Sequence, residues 1–318
     1  MAIERPILFF VGIAVLAVLP LLGLGSYIQH LLVLWMLFAL MAISLNVIIG
    51  YLGELSFGHA AFFAIGAYTS AMISVFAGLP FWLGLLAAPI VSGLLGLAIG
   101  YLSLRIKGPQ FAILTLGFGA ILHSVFVNWV EVTNGPLGIT KIPPPRLPGI
   151  DFGTATSYFY LVLLFVVAAM YLCHALVSSR TGRAFIAIRE NDALAASVGI
   201  DVFRFKLLGF VLATMMVGVA GSLYAHYLQV ITPELFTLHY MAPMVIMVIV
   251  GGKGTIAGPV IGALVYVGLL EVLRASGSMR MLVFAVLLTL CIVFLPGGIA
   301  SLRIGSWGSA TRKAEAAE

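Results

Sequence analysis

Runs of roughly twenty apolar residues recur along nearly the whole chain, at about 7–25, 30–50, 58–77, 81–104, 109–130, 157–177, 205–228 and 280–297. A helix rises about 1.5 Å per residue, so each run matches the ~30 Å hydrocarbon core of a bilayer. Lipid offers the backbone no hydrogen bonds, which forces each N–H and C=O of such a run to find its partner within the chain. Composition agrees, because 62% of the 318 residues are hydrophobic and only 8% are charged, where soluble domains carry about a quarter. The expected fold is all-α, a polytopic integral membrane protein of about 9–10 transmembrane helices with glycine-interrupted segments.

The stretch from Tyr240 to Leu273 is apolar but interrupted by Gly251, Gly252, Lys253, Gly254, Gly258 and Pro259. It reads as one long broken helix or two shorter ones, and the basic residues favour two. With a cytoplasmic N-terminus and about ten spans, Arg5, Arg105, Lys107, Arg180, Arg183, Arg189, Arg204, Lys206, Lys253, Arg303, Arg312 and Lys313 fall inside, and Lys141, Arg146, Arg274 and Arg280 outside. A single crossing would move the C-terminal cations outside and leave Lys253 at membrane depth. A re-entrant Gly251–Pro259 loop is the alternative, since irregular backbone within a membrane needs cover from protein or water. The first run is expected to stay as an uncleaved span, because it is long and lacks a clear small-x-small site. Residues 1–302 are read as one transmembrane domain and 303–318 as a polar, disordered cytoplasmic tail.

Eight of the 27 Lys, Arg, Asp and Glu residues lie between Ser178 and Lys206: Arg180, Arg183, Arg189, Glu190, Asp192, Asp201, Arg204 and Lys206. That segment must lie outside the bilayer. Gly182 and Arg183 open the run Ala184 to Ile188, in which Phe185 and Ile188 share a helical face. Asn191 or Asp192 offers an N-cap before Ala193 to Val198, and Gly199 suits the left-handed position beyond a helix end. Two short helices at an angle result, shaped either to enter a groove of a soluble subunit or to lie on lipid headgroups. The opposite-side loop from Glu131 to Tyr158 holds Pro136, Pro143, Pro144, Pro145 and Pro148. They forbid a continuous helix and favour extended geometry, either as a partner contact or as a stiff spacer.

Glycines and polar residues also gather in GYLGELSFGHAAFFAIGAYTSA, residues 50–71, where Glu54, Ser56 and His59 precede an apolar run. With Asn46 and Thr115 they are candidates for a translocation pathway, since polar groups at membrane depth face a cavity or a partner, and paired glycine breaks mark transport routes. The bland reading places Glu54 and His59 in a headgroup-level loop. The spacings Gly58 to Gly66 and Gly218 to Gly221 favour close helix packing. Cys173 and Cys291 sit in apolar runs and supply no disulfide framework or metal cluster. GGKGT at 251–255 lacks the Ser or Thr and the spacing of a phosphate-binding loop, so no catalytic residue, metal or bound cofactor is expected, and nucleic-acid binding is excluded. Two transport classes stay open on these residues, a partner-driven permease and an ion-coupled secondary carrier using Glu54, His59 and Glu271.

Five segments then decide the family. GYLGELSFGHAAFFAIGAYTSA, TNGPLGITKIPPP, SRTGRAFIAIRENDALAASVGIDVFRFKLLGFVLA, AGSLYAHYLQVITPELF and VIVGGKGTIAGPVIGA occur in this order across most of residues 45–300. They resemble the LivM-type permease subunits of bacterial ATP-binding-cassette importers for branched-chain amino acids. The resemblance implies a non-enzymatic, multi-pass subunit of the bacterial inner membrane that works by alternating access. It implies as partners a second, LivH-type permease, two cassette ATPases that bind the ATP and Mg, a periplasmic substrate-binding protein, and membrane lipid. It further implies that Gly182, Arg183, Phe185, Ile188, Arg189, Glu190, Asn191, Asp192 and Gly199 form the ATPase-coupling element, and that the Pro-rich loop meets the binding protein. The chain departs from the family pattern at Asn134, where glycine is common, and at Lys253, where an apolar residue is common; related systems carry urea, amides or aromatic acids.

Overall fold

The computed structural model describes residues 19–22, 25–106, 108–147, 150–274, 286, 289 and 297–301. The expected spans at 7–25 and 280–297, the tail 303–318, and Arg5, Lys107, Pro148, Arg280, Cys291, Arg303, Arg312 and Lys313 lie wholly or largely outside the described residues.

Run length against bilayer depth sets the helices. α1 (Ser26–Asn46) passes directly into a π-helical turn, Val47–Leu52, giving a 27-residue apolar rod that Gly53 ends at φ +77°. A non-helical stretch leads to α2 (His59–Val75), then α3 (Phe81–Ser103) and α4 (Pro109–Asn128), the last with Pro109 in its first turn, where a missing N–H costs nothing. After the single turn α5 (Val130–Thr133) come α6 (Ala155–Ser178), α7 (Arg180–Glu190), α8 (Asp192–Ser197), α9 (Val202–Leu228), α10 (Leu238–Gly251) and α11 (Gly258–Val272). Five of these helical stretches are long and apolar enough to cross a membrane: Ser26–Leu52, α3, α4, α6 and α9. α2, α10 and α11 are shorter apolar helices.

The Tyr240–Leu273 stretch is two helices, as the basic residues suggested, and they pack tightly against each other. A Cβ on Gly262 would stand 1.9 Å from the Met247 carbonyl oxygen, so only glycine admits this approach. Their connecting turn lies at the end that carries α7 and α8, because Gly254 neighbours both Arg189 and Gly50. The described cations divide between the two ends as expected. Arg105 stacks over Phe203 at the start of α9, while Arg274 bonds Tyr27 at the start of α1.

α2 and α9 form the centre. Phe62, Phe63, Tyr68 and Phe210 are fully buried there, with Phe62 edge-on to Phe210 at 5.6 Å and Phe63 edge-on to Tyr224 at 5.2 Å. Burial of four large aromatic side chains contributes on the order of 2 kcal/mol each where water is the reference; in lipid the close packing itself supplies the attraction. Short polar bonds add to it, such as Ser92 Oγ to the Phe62 carbonyl at 3.1 Å and Trp35 Nε1 to the Val260 carbonyl at 2.9 Å.

The opposite end holds structure that the proline count did not suggest. β1 (Ile139–Thr140) pairs antiparallel with β4 (Val230–Ile231), and β2 (Arg146–Leu147) pairs with β3 (Ile150–Asp151). The loop is therefore stitched to the end of α9 rather than standing free. Asn134 takes φ +61° and its Nδ2 donates to the Gly138 carbonyl at 2.8 Å. Asn tolerates the left-handed region, so it can hold this turn without a glycine.

Candidate functional site

Local capping chemistry builds the charged segment. Ser179 Oγ accepts from Gly182 N at the start of α7, and Asn191 Oδ1 accepts from Ala193 N at 2.9 Å and Leu194 N at 3.0 Å at the start of α8. Gly199 ends α8 at φ +86°. Of the two candidate caps, Asn191 takes the role and Asp192 is left free for another. Gly182, Ala184, Phe185, Ile188 and Ala195 are buried on the side turned to the spans, with Phe185 against Tyr51 and Leu52. Arg183, Glu190 and Asn191 are exposed, as are Leu194 at 66% and Val198 at 70%. Two large apolar side chains one turn apart, Leu194 on α8 and Val198 just after it, form an exposed surface.

Asp192 goes inward to Lys206. The Lys206 ammonium lies 2.6 Å from Asp192 Oδ2 and 2.6 Å from Glu54 Oε1, and the lysine is buried. One cation thus joins α8, α9 and the non-helical stretch ahead of α2. Beside it, Arg189 Nη1 donates to the Gly50 carbonyl at 2.7 Å, in the π-helical turn. Asn46 closes the group: its Nδ2 donates to the Thr255 carbonyl at 2.8 Å and its Oδ1 accepts from Gly254 N at 2.9 Å. Thr255 shapes that turn, donating to the Gly252 carbonyl at 2.7 Å and accepting from Gly258 N at 3.0 Å. The glycine-rich break is compact because Gly252 and Gly254 both take positive φ and Gly258 and Pro259 open α11 directly, while Lys253 is exposed.

The five pathway candidates are thus brought to one end but divide into two layers. Asn46 and Glu54 belong to the joint just described. Ser56, His59 and Thr115 are buried beneath it. Thr115 Oγ1 accepts from Phe57 N at 3.1 Å and donates to the Ala112 carbonyl at 2.9 Å. Ser44 Oγ lies 2.7 Å from the Met41 carbonyl, to which it donates, and 2.9 Å from His59 Nε2. His59 therefore carries its proton on Nε2, and its Nδ1, like Ser56 Oγ, has no hydrogen-bond partner. Glu271, named with Glu54 and His59 for ion coupling, lies at the opposite end, bonded to Tyr27. The three do not form one path.

Lys206, Leu194 and Val198 were not singled out from sequence. Lys206 carried one usable signal, a cation at the edge of a long apolar run, which needs a buried counter-charge from elsewhere in the chain. Leu194 and Val198 carried none, since apolar residues on a short helix are usually its buried face. Among the described residues no group of three or more His, Cys, Asp or Glu could hold a metal ion.

Comparison with known proteins follows the same lines. The family described as "Branched-chain amino acid transport system / permease component" matches residues 27–295. The permease protein LivM of the high-affinity branched-chain amino acid transport system of Salmonella typhimurium is 33% identical over 287 residues, 83% of this chain and 68% of that protein. LivM of Escherichia coli is 32% identical over 315 residues, covering 92% and 74%. The permease protein LivH of the high-affinity branched-chain amino acid transport system of Salmonella typhimurium is 29% identical over 283 residues, covering 82% and 90%. No solved structure matches. A multi-pass helical chain whose matched region includes the capped α7–α8 pair, the Lys206 joint and the glycine-rich turn belongs to the family of branched-chain amino acid transport system permease components.

Proposed function

We propose that this permease is the LivM-type half of a binding-protein-dependent ABC importer for branched-chain amino acids in a bacterial inner membrane, and that α7 and α8 are its docking element for a cassette ATPase. The observation that carries the docking role is the pair Leu194 and Val198, exposed on α8 and just after it, on the end where most of the described basic residues collect. Exposed apolar groups on the aqueous side of a membrane protein are a cost unless a partner covers them. ATP and Mg bind the partner ATPases; this chain contributes the surface that follows their closure. The buried Gly182, Phe185 and Ile188 hold that surface to the spans, and Arg183, Glu190 and Asn191 supply its rim.

A second permease of LivH type is the expected companion. The outward face of α4 supports this, for beside the exposed Ile113, Leu116, Ile121 and Val125 it carries Gln110, Gly117, Ser124 and Asn128, whereas the outward face of α3 exposes Leu83, Leu86, Ile90, Leu94 and Leu97. Large aliphatic groups suit lipid, and small or polar ones suit a neighbouring helix. The stitched outer loop, with β1 paired to β4, offers the periplasmic binding protein a firm platform. An ion-coupled carrier is less well supported, because Glu54 is neutralised by Lys206 and Glu271 lies at the other end.

Affinity purification of the tagged chain from native membranes tests the reading. Two cassette ATPases and a second permease are expected, with ATP turnover stimulated by the liganded binding protein. The double variant Leu194→Glu, Val198→Glu is expected to lose the ATPases and keep the second permease. Retention of the ATPases by that variant would remove α8 from the interface, and uptake by the chain alone would overturn the importer reading.

A further inference from the structure

We propose that Lys206 is a positioning residue that passes movement of the docking helices to the segment Gly53–Gly58 and so to the start of α2. The inference rests on the ATPase-docking reading above and adds the route by which docking reaches the interior.

Two covalent routes lead inward from α7 and α8, through α6 and through α9, while residues 53–58 are met from the side, by Lys206 at Glu54 and by Arg189 packed beside Gly53. The connection to that stretch is made by side chains. Asp192 is the first residue of α8, Lys206 lies in the second turn of α9, and Glu54 stands in the non-helical stretch between the π-helical turn and α2. The single ammonium bonds both carboxylates at 2.6 Å in a site largely closed to water. In such a site the attraction is weakly screened, and removing the cation leaves two carboxylates facing each other with nothing between them. The three elements therefore move together or the joint breaks.

Residues 53–58 can yield. Apart from the Gly53 and Glu54 N–H groups on the Ile48 carbonyl and the Phe57 N–H on Thr115 Oγ1 at 3.1 Å, the stretch lacks the regular ladder that stiffens a helix. It ends at His59, and the buried Ser56 Oγ and His59 Nδ1 lack partners in this arrangement. Buried polar atoms are nearly always paired, so an arrangement that leaves two open near one helix start is one from which a shift can gain bonds. Arg189 and Asn46 make a parallel tie, from α7 through Gly50 to the turn between α10 and α11. A π-helical turn interrupts regular bonding at the place where that tie attaches, which makes it a suitable joint.

The test uses the complete transporter, with both permeases, the ATPases and the binding protein, in proteoliposomes, and reads ATP hydrolysed per substrate imported. Lys206→Met is expected to keep the ATPases bound and hydrolysing while that ratio rises at least about tenfold, the size of effect that loss of a buried charge pair gives. Lys206→Arg, which can still bridge two carboxylates, is expected to restore most of the coupling. Glu54→Gln and Asp192→Asn each leave one ion pair, and each should raise the ratio less than Lys206→Met does. They also serve where Lys206→Met fails to assemble. A wild-type ratio in Glu54→Gln and Asp192→Asn would overturn the proposal, as would a wild-type ratio in an assembled Lys206→Met transporter. Failure of the docking reading looks different, since the Leu194→Glu, Val198→Glu transporter would then keep its ATPases.

Discussion

Gly66 on α2 and Gly218 on α9 meet backbone to backbone: a Cβ added to Gly66 would stand 2.3 Å from the Gly218 carbonyl oxygen. The contact sets the spacing of the two central helices, and Gly221 repeats it one turn on, where a Cβ would stand 2.0 Å from the Phe63 carbonyl oxygen. Neither neighbour is the flexible end of a side chain, so neither can give way.

Gly66→Val is therefore expected to destabilise the chain by about 3 kcal/mol or more, at the upper end of overpacking costs. Gly117→Ala, at a position with nothing within 4 Å of the added carbon, should change stability by less than about 0.5 kcal/mol. Thermal unfolding of the purified chain in detergent checks both. Equal unfolding temperatures for the two variants would mean that the helices separate at little cost.

Arg189→Ala removes the bond to the Gly50 carbonyl and is expected to reduce uptake several-fold while ATP hydrolysis continues. Arg204→Ala should behave as wild type, because its bond to Asp201 is solvent-exposed and such pairs contribute about 0–1 kcal/mol. Parallel uptake and ATPase assays on the assembled transporter separate the two; equal uptake in both variants would leave Arg189 without a coupling role.

His226 ties the outer loop to the bundle through a directed chain of hydrogen bonds. A carbonyl only accepts, so His226 Nδ1 donates to Pro143 O at 2.7 Å, and Nε2 accepts from Ser70 Oγ at 2.9 Å, which in turn accepts from Ser222 Oγ at 2.8 Å. His226→Phe keeps the bulk and loses both bonds. Faster limited proteolysis within residues 138–147 is expected, together with a weaker response to the binding protein and unchanged ATPase association. Wild-type cleavage rates would show that the β1–β4 pairing alone holds the loop.

His59→Ala is expected to leave expression intact and alter uptake kinetics. Ser44 keeps its bond to the Met41 carbonyl, so the loss is one bond and a cavity at the start of α2. Initial uptake rates across substrate concentration give the comparison. Kinetics identical to wild type would make His59 a packing residue.

Local physics explains which parts were legible in the sequence. Apolar runs from about 30 to 228 became α1, α2, α3, α4, α6 and α9 with ends shifted by a few residues, because bilayer depth sets helix length and Gly, Pro and capping residues act on their own neighbourhood. Asn191 and Gly199 were readable for the same reason, their partners being within a few residues. The Gly66 and Gly218 contact was readable as a tendency to pack closely, though not as this particular pair.

Tertiary structure alone decided the rest, and the reason is separation along the chain. Glu54 lies 152 residues from Lys206, and Asn46 lies 208 from Gly254. β1 finds its partner only after α9 has returned the chain to the same end. Polarity could show that a lone Lys206 or Glu54 needs a partner, since an unpaired charge in a low-dielectric site is costly, yet no periodicity names the partner. The sequence determined that the chain forms membrane-length helices, where they begin and end, and to which family it belongs; only the folded arrangement of those helices determined which distant charges, carbonyls and glycines meet.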